Sequence, residues 1–269
     1  MLTDRRAIEE WLTQIGITNY TIYGTFRVNV YGNVNLSGRG LGQLPIQFGV
    51  VTGSFDCSYS ELISLKGAPL YVSGTFNCSY NSLTSLEGAP LYVGGDFRCE
   101  HNKLTSLKGA PIYVGGCFYS YNNQLASLEG ASEYVGEHFV CSFNRLTSLE
   151  GAPRYVGGNF RCMNNPLTSL EGAPHYVEGN FDCFCNSLTT LKGAPCYVGG
   201  RFDCSYNSLT SLEGAPLYVG GDFLCTHNRF TSLKGAPSYV GGEFVYNSQA
   251  LRTLEEAPPY VIESILNPR

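Results

Sequence analysis

Hydrophobic and polar positions follow a pattern that returns every 21 residues along most of the chain. In one copy, Phe97 and Cys99 are apolar, and the residues on either side of Phe97 are polar. This alternation predicts a very short β-strand whose apolar residues face inward. Two leucines follow, and Gly-Ala-Pro then favours an extended return on the opposite side. A fixed period of this kind predicts a solenoid of stacked coils.

The repeat keeps its length without insertion or deletion. The glycine of the Gly-Ala-Pro slot falls at residues 67, 88, 109, 130, 151, 172, 193, 214 and 235. Residues in the same slot of successive coils stack in columns about 4.8 Å apart. We therefore expect a β-rich solenoid of about eleven 21-residue coils. One parallel β-sheet of short strands is expected along its concave side.

The ends of the repeat suggest how the chain is divided. We predict, in chain order, an N-terminal cap over residues 1–29, the solenoid over residues 30–261 and a C-terminal closing segment over residues 262–269. The cap contains a short helix over residues 3–15, with Thr3 or Asp4 as its N-cap, followed by an irregular strand. The apolar face of this helix carries Trp11 and should cover the first coil, which otherwise exposes its core and an unpaired strand edge.

Asparagine and cysteine each dominate one column. Each asparagine amide is expected to bond with backbone groups of its own coil and of a neighbouring coil. Eight of the eleven cysteines share an inward column, at residues 57, 78, 99, 141, 162, 183, 204 and 225. A free cysteine behaves there as a small apolar residue, so we expect buried, reduced thiols. No Cys-x-x-Cys pair and no histidine at ligand spacing supports a zinc site, so no metal or other cofactor is expected.

Charge and hydropathy argue against two classes of partner. The chain has 17 Lys+Arg and 22 Asp+Glu, a net charge of −5, and no basic run, so nucleic acid is not an expected partner. No apolar stretch approaches the ~20 residues of a membrane span, and the N-terminus lacks the apolar core of a signal peptide. We expect a cytoplasmic protein, in the producing or the host cell, that does not bind membranes. Its oligomeric state is left open.

The outer side of the coils carries a column of alternating charge. It consists of Lys66, Glu87, Lys108, Glu129, Glu150, Glu171, Lys192, Glu213 and Lys234. Opposite charges stack over much of this column, which favours solubility and adds little stability.

The pattern Phe-x-Cys-x-x-Asn-x-Leu-x-x-Leu resembles the leucine-rich repeat, whose core reads Leu-x-Leu-x-x-Asn-x-Leu. The 21-residue length and the proline after the second leucine resemble the short bacterial type of enterobacterial secreted effectors. The motif Leu-Thr-Ser-Leu-Glu-Gly-Ala-Pro resembles repeat proteins encoded by tailed bacteriophages. The segment that precedes the regular repeats, from Val30 to Leu36 and at Leu44-Pro45, resembles them too. The resemblance implies a leucine-rich-repeat solenoid that binds other proteins. Because the chain ends at Arg269, we expect no ubiquitin-ligase domain of the effector kind and no enzymatic activity.

Outward residues vary most around the middle strands, and they include aromatic, arginine and methionine side chains, which are typical of binding hot spots. We predict a partner-binding surface formed by Arg98, His101, Tyr119, Tyr121, His138, Phe143, Arg161, Met163 and Phe184. The expected function is a non-catalytic module whose concave face binds a partner protein, for example a host defence or regulatory protein. Drift in a tolerant repeat is the alternative origin of this variation.

Two other functions remain open at this point. The same aromatic and basic side chains could bind a small molecule or a glycan, which requires a deep cavity between residues 98 and 163. Asp182 and Asp203 occupy one outward slot on adjacent strands, and two carboxylates at such a spacing serve as acid and base in glycosidases. On an open surface with nothing to exclude water, we expect them to act instead as a secondary acidic docking point for a partner's lysine or arginine.

Overall fold

The computed structural model describes residues 1–247 and 258–260, and within these residues it contains one helix and 23 strands. Most of the strands are two residues long. The elements in chain order are α1 (Arg5–Gln14), β1 (Tyr20–Tyr23), β2 (Arg27–Val30), β3 (Val34–Asn35), β4 (Gln47–Val51), β5 (Phe55–Asp56), β6 (Tyr71–Val72), β7 (Phe76–Asn77), β8 (Tyr92–Val93), β9 (Phe97–Arg98), β10 (Tyr113–Val114), β11 (Phe118–Tyr119), β12 (Tyr134–Val135), β13 (Phe139–Val140), β14 (Tyr155–Val156), β15 (Phe160–Arg161), β16 (Tyr176–Val177), β17 (Phe181–Asp182), β18 (Tyr197–Val198), β19 (Phe202–Asp203), β20 (Tyr218–Val219), β21 (Phe223–Leu224), β22 (Tyr239–Val240) and β23 (Phe244–Val245).

The fold is a parallel-strand β-solenoid of about ten 21-residue coils. Each regular coil contributes two strands, one starting with tyrosine and one starting with phenylalanine. The first kind pairs into the Tyr sheet and the second into the Phe sheet. Strands of the regular coils pair with the strand one coil away in a 21-residue register, as in Phe97 opposite Phe118. The pairing of Arg27–Val30 with Gln47–Val51 differs, because its register shifts between Val28 and Val30.

The chain forms two compact units, Met1–Leu125 with Glu129–Glu137, and Ala126–Leu128 with His138–Arg269. In the first unit the Tyr sheet has the order β1-β2-β4-β6-β8-β10-β12, and the Phe sheet has the order β11-β9-β7-β5-β3. In the second unit the orders are β14-β16-β18-β20-β22 and β23-β21-β19-β17-β15-β13. The pair β1 and β2 is antiparallel, and the repeat strands pair in parallel.

The Tyr sheet corrects the expectation of a single sheet. In the structure Tyr92 and Val93 pair in register with Tyr113 and Val114 of the next coil. The valine is buried and the tyrosine faces out, where neighbouring rings stack 4.6 Å apart. A two-residue strand is too short to show a period of two in the sequence, so this element was missed.

The core consists of the inward columns that the pattern predicted. In each regular coil a valine, a phenylalanine, a cysteine and two leucines are fully buried. The phenylalanine rings stack along the coils, with Phe76 5.5 Å from Phe55 and 5.8 Å from Phe97. Burial of each such ring contributes about 1.5–3 kcal/mol.

The asparagine column joins successive coils, as predicted. The Asn102 amide donates to the carbonyl oxygens of Cys99 in its own coil and of Cys78 in the preceding coil, at 3.2 and 3.0 Å. Its Oδ1 accepts the backbone N–H of Leu83, also in the preceding coil, at 2.9 Å. One side chain therefore satisfies buried backbone groups of two coils that have no solvent to bond with.

Glycine has two separate roles in a coil. The glycine of Gly-Ala-Pro has a positive φ, +90° at Gly88, which L-residues with a Cβ rarely adopt. The Gly-Gly bend has no positive φ. A Cβ at Gly94 would lie 2.2 Å from the Ser73 carbonyl oxygen, so glycine there permits close approach of two coils.

The N-terminal helix is shorter than the predicted range of residues 3–15. Asp4 is its N-cap, and the Asp4 carboxylate accepts the Ala7 N–H at 3.0 Å. Ile8 and Leu12 are buried, and the Trp11 ring lies edge-on to Phe48 with a centroid distance of 6.3 Å. The helix thus packs on the first coils, while the unpredicted strand β1 covers the edge of β2. The predicted closing segment, residues 262–269, lies outside the described residues, and the three-segment division stays a prediction.

The outer charge column contains the expected ion pairs. Lysine and glutamate bond across adjacent coils in three places: Lys108 with Glu129, Lys192 with Glu171, and Lys234 with Glu213, at 2.7–3.0 Å. All six side chains are more than half exposed. Solvent therefore screens these pairs, and each contributes little to stability.

The eight cysteines of the inward column are buried free thiols. Burial in the apolar core raises the pKa of each of these thiols, as at Cys57 and Cys78. Where a bond is resolved, the sulfur donates to a carbonyl oxygen of the next coil, as from Cys99 to Tyr119 at 3.3 Å. Cys196, outside this column, is exposed.

The asparagine column gives a first prediction. Asn102→Ala leaves the buried Leu83 N–H without its acceptor and removes the bonds from the Asn102 amide to the carbonyl oxygens of Cys78, Cys99 and Glu100. We therefore expect it to lower the free energy of unfolding by about 1–3 kcal/mol. Lys108→Ala removes only an exposed pair and should leave stability unchanged. Urea unfolding followed by circular dichroism measures both. Equal losses for the two variants would show that the asparagine amides do not hold the coils together.

The buried thiols give a second prediction, on pH. Unfolded cysteine has a pKa of about 8.5. Because burial raises the folded-state pKa, the folded protein binds more protons than the unfolded chain above that pH. The free energy of unfolding should therefore fall as the pH rises past about 8.5, by up to ~1.4 kcal/mol per pH unit for each buried thiol.

Cys78→Ser tests this dependence, since Ser120 already occupies the same column. We expect its free energy of unfolding to fall less steeply than that of the parent protein between about pH 8 and pH 10. Cys196→Ser removes an exposed thiol and should keep the parent's slope. Identical slopes in all three proteins would mean that the column thiols do not contribute to the pH dependence.

Candidate functional site

The outward side of the Phe sheet is the surface on which the sequence placed the site, and we call it the strand face. Three slots of each coil reach it: the second residue of the strand, the residue after the inward cysteine, and the next residue, which has a positive φ. In one coil of the first unit these are Arg98, Glu100 and His101. Since the Phe sheet repeats every 21 residues, the next coil contributes Tyr119 and Tyr121 in the matching slots.

An ion pair with a fully buried carboxylate lies on the strand face of the first unit. The Arg98 Nη2 and Nε atoms lie 2.8 and 3.2 Å from Oε1 of Glu100. Glu100 is 0% exposed, and within the described residues its Oε2 has no hydrogen-bond partner. The corresponding residue in the two preceding coils is a serine. Glu100 is thus buried although it lies in a slot of the strand face, because the Arg98 side chain turns back and binds it.

Aromatic rings pack around this pair. The Arg98 guanidinium lies 5.0 Å from the centre of the Tyr119 ring, a cation–π contact. Tyr119 and Tyr121 meet edge to face at 6.3 Å, and His101 meets Tyr121 at 5.3 Å. Asn122 Nδ2 lies 3.2 Å from His101 Nε2, which fixes the imidazole. The structure thus brings Arg98, His101, Tyr119 and Tyr121 together, as the sequence predicted.

The sequence missed the extension of this cluster toward the N-terminus. Tyr59, Tyr80 and His101 share one column and form a stack, with centroid distances of 4.3 and 4.1 Å. Their backbones have φ between +51° and +53°. A period of 21 residues links these aromatic residues, so the signal was present in the sequence.

Burial raises the pKa of the phenols of Tyr119 and Tyr121. For Tyr119 the Cys117 side chain adds to the shift, and for Tyr121 the negative charge of Glu100 does so. Both phenols therefore stay protonated around neutral pH and can donate a hydrogen bond to a partner.

A second ionic cluster lies on the strand face of the second unit. Asp182 Oδ1 lies 2.8 Å from Arg201 Nη2, and Oδ2 lies 3.3 Å from Arg161 Nε. Asp182 and Asp203 are only 2% and 9% exposed, so the expectation of an open surface around them was wrong. Asp203 accepts the Ser205 N–H at 3.0 Å. With both Asp182 oxygens in ion pairs, the geometry does not favour an acid–base pair.

Apolar side chains accompany this cluster. Phe143 is 51% exposed, at a turn with φ of +54°, while Met163 and Phe184 are half-buried. Backbone bonds place Phe143 beside Met163, at 3.0 Å from N to O. His138 belongs to a different slot, ahead of its strand, and its Nδ1 accepts the Asn159 N–H at 2.9 Å. His138 is therefore engaged in coil-to-coil bonding.

Three side chains of kinds that ligate metals converge beside Tyr119. The donor atoms of Asp96, Cys117 and Glu137 all lie within 4.8 Å of one another. Elsewhere, the structure has an open depression of about 570 Å³ lined by residues that include Tyr59, Glu61 and Ile63.

Of the helices in the described part of the chain, none has the length and apolar character that crossing a bilayer requires.

Comparison with known proteins identifies the type of fold. No family model matches the chain, and no curated protein does. Among solved structures, the chain is similar to YopM from Yersinia enterocolitica WA-314, with 18% sequence identity and a TM-score of 0.52. The match covers 77% of this chain and 50% of YopM, so it spans half the length of that protein. Together with the 21-residue coils, this likeness shows that the chain has the leucine-rich-repeat solenoid fold.

Proposed function

We propose that the chain is a non-catalytic module that binds a protein partner on its strand face. The leucine-rich-repeat fold is typical of protein-binding modules. The observation that carries the proposal is the Arg98–Glu100 pair, in which the carboxylate is fully buried and the guanidinium lies over the Tyr119 ring. Tyr121 and His101 pack against each other in the same cluster.

These side chains have the properties of binding hot spots. Tyrosine and arginine are enriched among the residues whose truncation weakens binding most. Here the rings are held by stacking and the guanidinium by a fully buried carboxylate, so little conformational freedom is lost when a partner binds. The Arg98 side chain remains 38% exposed, which leaves part of the guanidinium accessible to a partner.

The second unit offers a surface of similar character. Arg161, Met163, Phe143 and Phe184 stay in the proposal as partner-binding residues, and His138 stays as a flanking one. Asp182 and Asp203 were proposed as an acidic docking point. Because Asp182 is paired with Arg161 and Arg201, we now assign it the role of positioning these guanidiniums, with Asp203 as the adjacent carboxylate.

The nature of the partner rests on the resemblance of the repeat to effector and bacteriophage sequences. We propose a host defence or regulatory protein, bound in the cytoplasm. An enzyme activity that uses Asp182 and Asp203 has no support from their ion pairing. The alternative of a small molecule or glycan at the cluster gains no support from the depression near Tyr59, which lies outside residues 98–163 and is open.

The proposal predicts that the strand face can be disabled without harming the fold. Tyr121→Ala and Phe143→Ala each remove one exposed or half-exposed anchor and leave the inward columns intact. We expect each to weaken partner binding by about 1–3 kcal/mol, or roughly 5- to 150-fold in Kd, with a melting temperature close to that of the parent.

The partner is first captured from host lysate on the immobilised chain and identified by mass spectrometry, and its Kd is then measured for each variant. Glu150→Ala, on the outer charge column, is the control and should bind like the parent. Parent-like binding by a well-folded Tyr121→Ala/Phe143→Ala double variant would direct attention to the outer side or the N-terminal cap.

A further inference from the structure

Two otherwise regular columns change character at one place in the first unit. The second glycine of the bend is conserved from coil to coil, at residues 32, 53, 74, 95, 116, 158, 179, 200, 221 and 242, but residue 137 is glutamate. The slot after it holds a polar or charged residue in the other coils, and a cysteine at position 117 alone. These two exceptions lie in successive coils.

Side chains in the same slot as Cys117 form hydrogen bonds between one coil and the next. A side-chain oxygen accepts the backbone N–H of the residue 21 positions later, as Asn33 does for Ser54 at 2.8 Å. Asp96 Oδ1 accepts the Cys117 N–H in the same way, at 2.9 Å. This bond holds the Asp96 carboxylate beside Cys117. It involves Oδ1 and not the second carboxylate oxygen, Oδ2.

The three side chains converge on one small volume. Cys117 Sγ lies 3.2 Å from Glu137 Oε2 and donates its S–H to it. The donor atoms of Asp96, Cys117 and Glu137 lie within 4.8 Å of one another. Cys117 is 4% exposed, whereas Asp96 is half-buried and Glu137 is exposed, so the volume is closed below and open to solvent above.

A side chain at position 137 goes against the packing of its column. A Cβ added at Gly116 would lie 2.9 Å from the Gly95 carbonyl carbon, and one at Gly74 would lie 3.0 Å from the Gly53 carbonyl carbon. These backbone separations are shorter than ordinary van der Waals contact, so a side chain in this column requires a small shift of the neighbouring coil. Natural sequences break a local packing rule of this kind mainly at functional sites. A glutamate placed against the one thiol of the neighbouring column fits a ligand-binding role.

The donor set selects a class of metal ion. One thiolate and two carboxylates suit Zn²⁺, with Zn–S near 2.3 Å and Zn–O near 2.0–2.2 Å. Mg²⁺ and Ca²⁺ take oxygen ligands and have no use for the sulfur. Two carboxylates complement a doubly charged cation, and the nearby Arg98 guanidinium is already neutralised by Glu100.

We propose that Asp96, Cys117 and Glu137 form a binding site for Zn²⁺ or a similar borderline-soft divalent cation. The thiol proton, now shared with Glu137, leaves to solvent as the sulfur bonds to the metal. Three protein ligands leave one tetrahedral position for water. This proposal departs from the prediction that the chain holds no metal or other cofactor, and it uses a cysteine outside the inward column. Because its ligands come from three successive coils, the metal would tie them together beside Tyr119.

Cobalt substitution tests the site on the full-length, chelator-treated protein. One equivalent of Co²⁺ should produce a thiolate-to-cobalt charge-transfer band, and one equivalent of Zn²⁺ should abolish it and raise the melting temperature. Cys117→Asn places in this slot the residue found at positions 159 and 180, and should remove the band. Glu137→Gly, which restores the column glycine, and Asp96→Asn, which keeps Oδ1, should each weaken Co²⁺ binding by more than about 10-fold.

Two variants serve as matched controls and should bind Co²⁺ like the parent. Asp222→Asn changes an aspartate in the same slot, whose Oδ1 accepts the Glu243 N–H at 2.9 Å, and Cys196→Ser removes an exposed thiol. Absence of the band in the parent, its survival in Cys117→Asn, or its loss in Cys196→Ser would overturn the proposal. So would parent-like affinity in both Glu137→Gly and Asp96→Asn, because the cysteine would then bind metal alone.

Discussion

The asparagine amide that bonds to two successive coils is the interaction on which the rest of the structure depends. Where the chain leaves the Phe sheet, several backbone carbonyl and N–H groups are buried away from water, and each would be costly if left unpaired. Asn102 satisfies two coils at once, so it also sets their distance and register. Stacked phenylalanines and buried thiols can then repeat without further adjustment.

The strict register also arranges the surface side chains in columns. Each outward slot becomes a column in which neighbours lie one strand spacing apart, so like side chains stack and opposite charges pair. The tyrosines of the Tyr sheet, the ring stack that ends at His101 and the lysine–glutamate column all arise in this way. A substitution in one coil therefore places the new side chain next to the residue in the same column of the adjacent coil.

This geometry separates stability from recognition. The inward columns hold the coils together and barely vary, while the outward slots can change with little effect on the core. Glu100 and Glu137 show the limit of that freedom. Glu100 lies in a slot that is serine in the two preceding coils, and Glu137 lies in a slot that is otherwise glycine. Each carboxylate is engaged by a neighbour, Glu100 by Arg98 and Glu137 by Cys117.

The sequence by itself determined the coil length, the inward columns, the asparagine bonds and the pairing of outer charges, because a fixed period carries each of these from one coil to the next. It also placed Tyr119 and Tyr121 on one face. Only the tertiary structure decided that the Tyr-Val segments form a second sheet, since two residues are too short to reveal a strand period. Only the tertiary structure buried Glu100 and Asp182. Whether an outward side chain faces solvent depends on which side chains of its own and adjacent coils fold over it, and no local pattern records that.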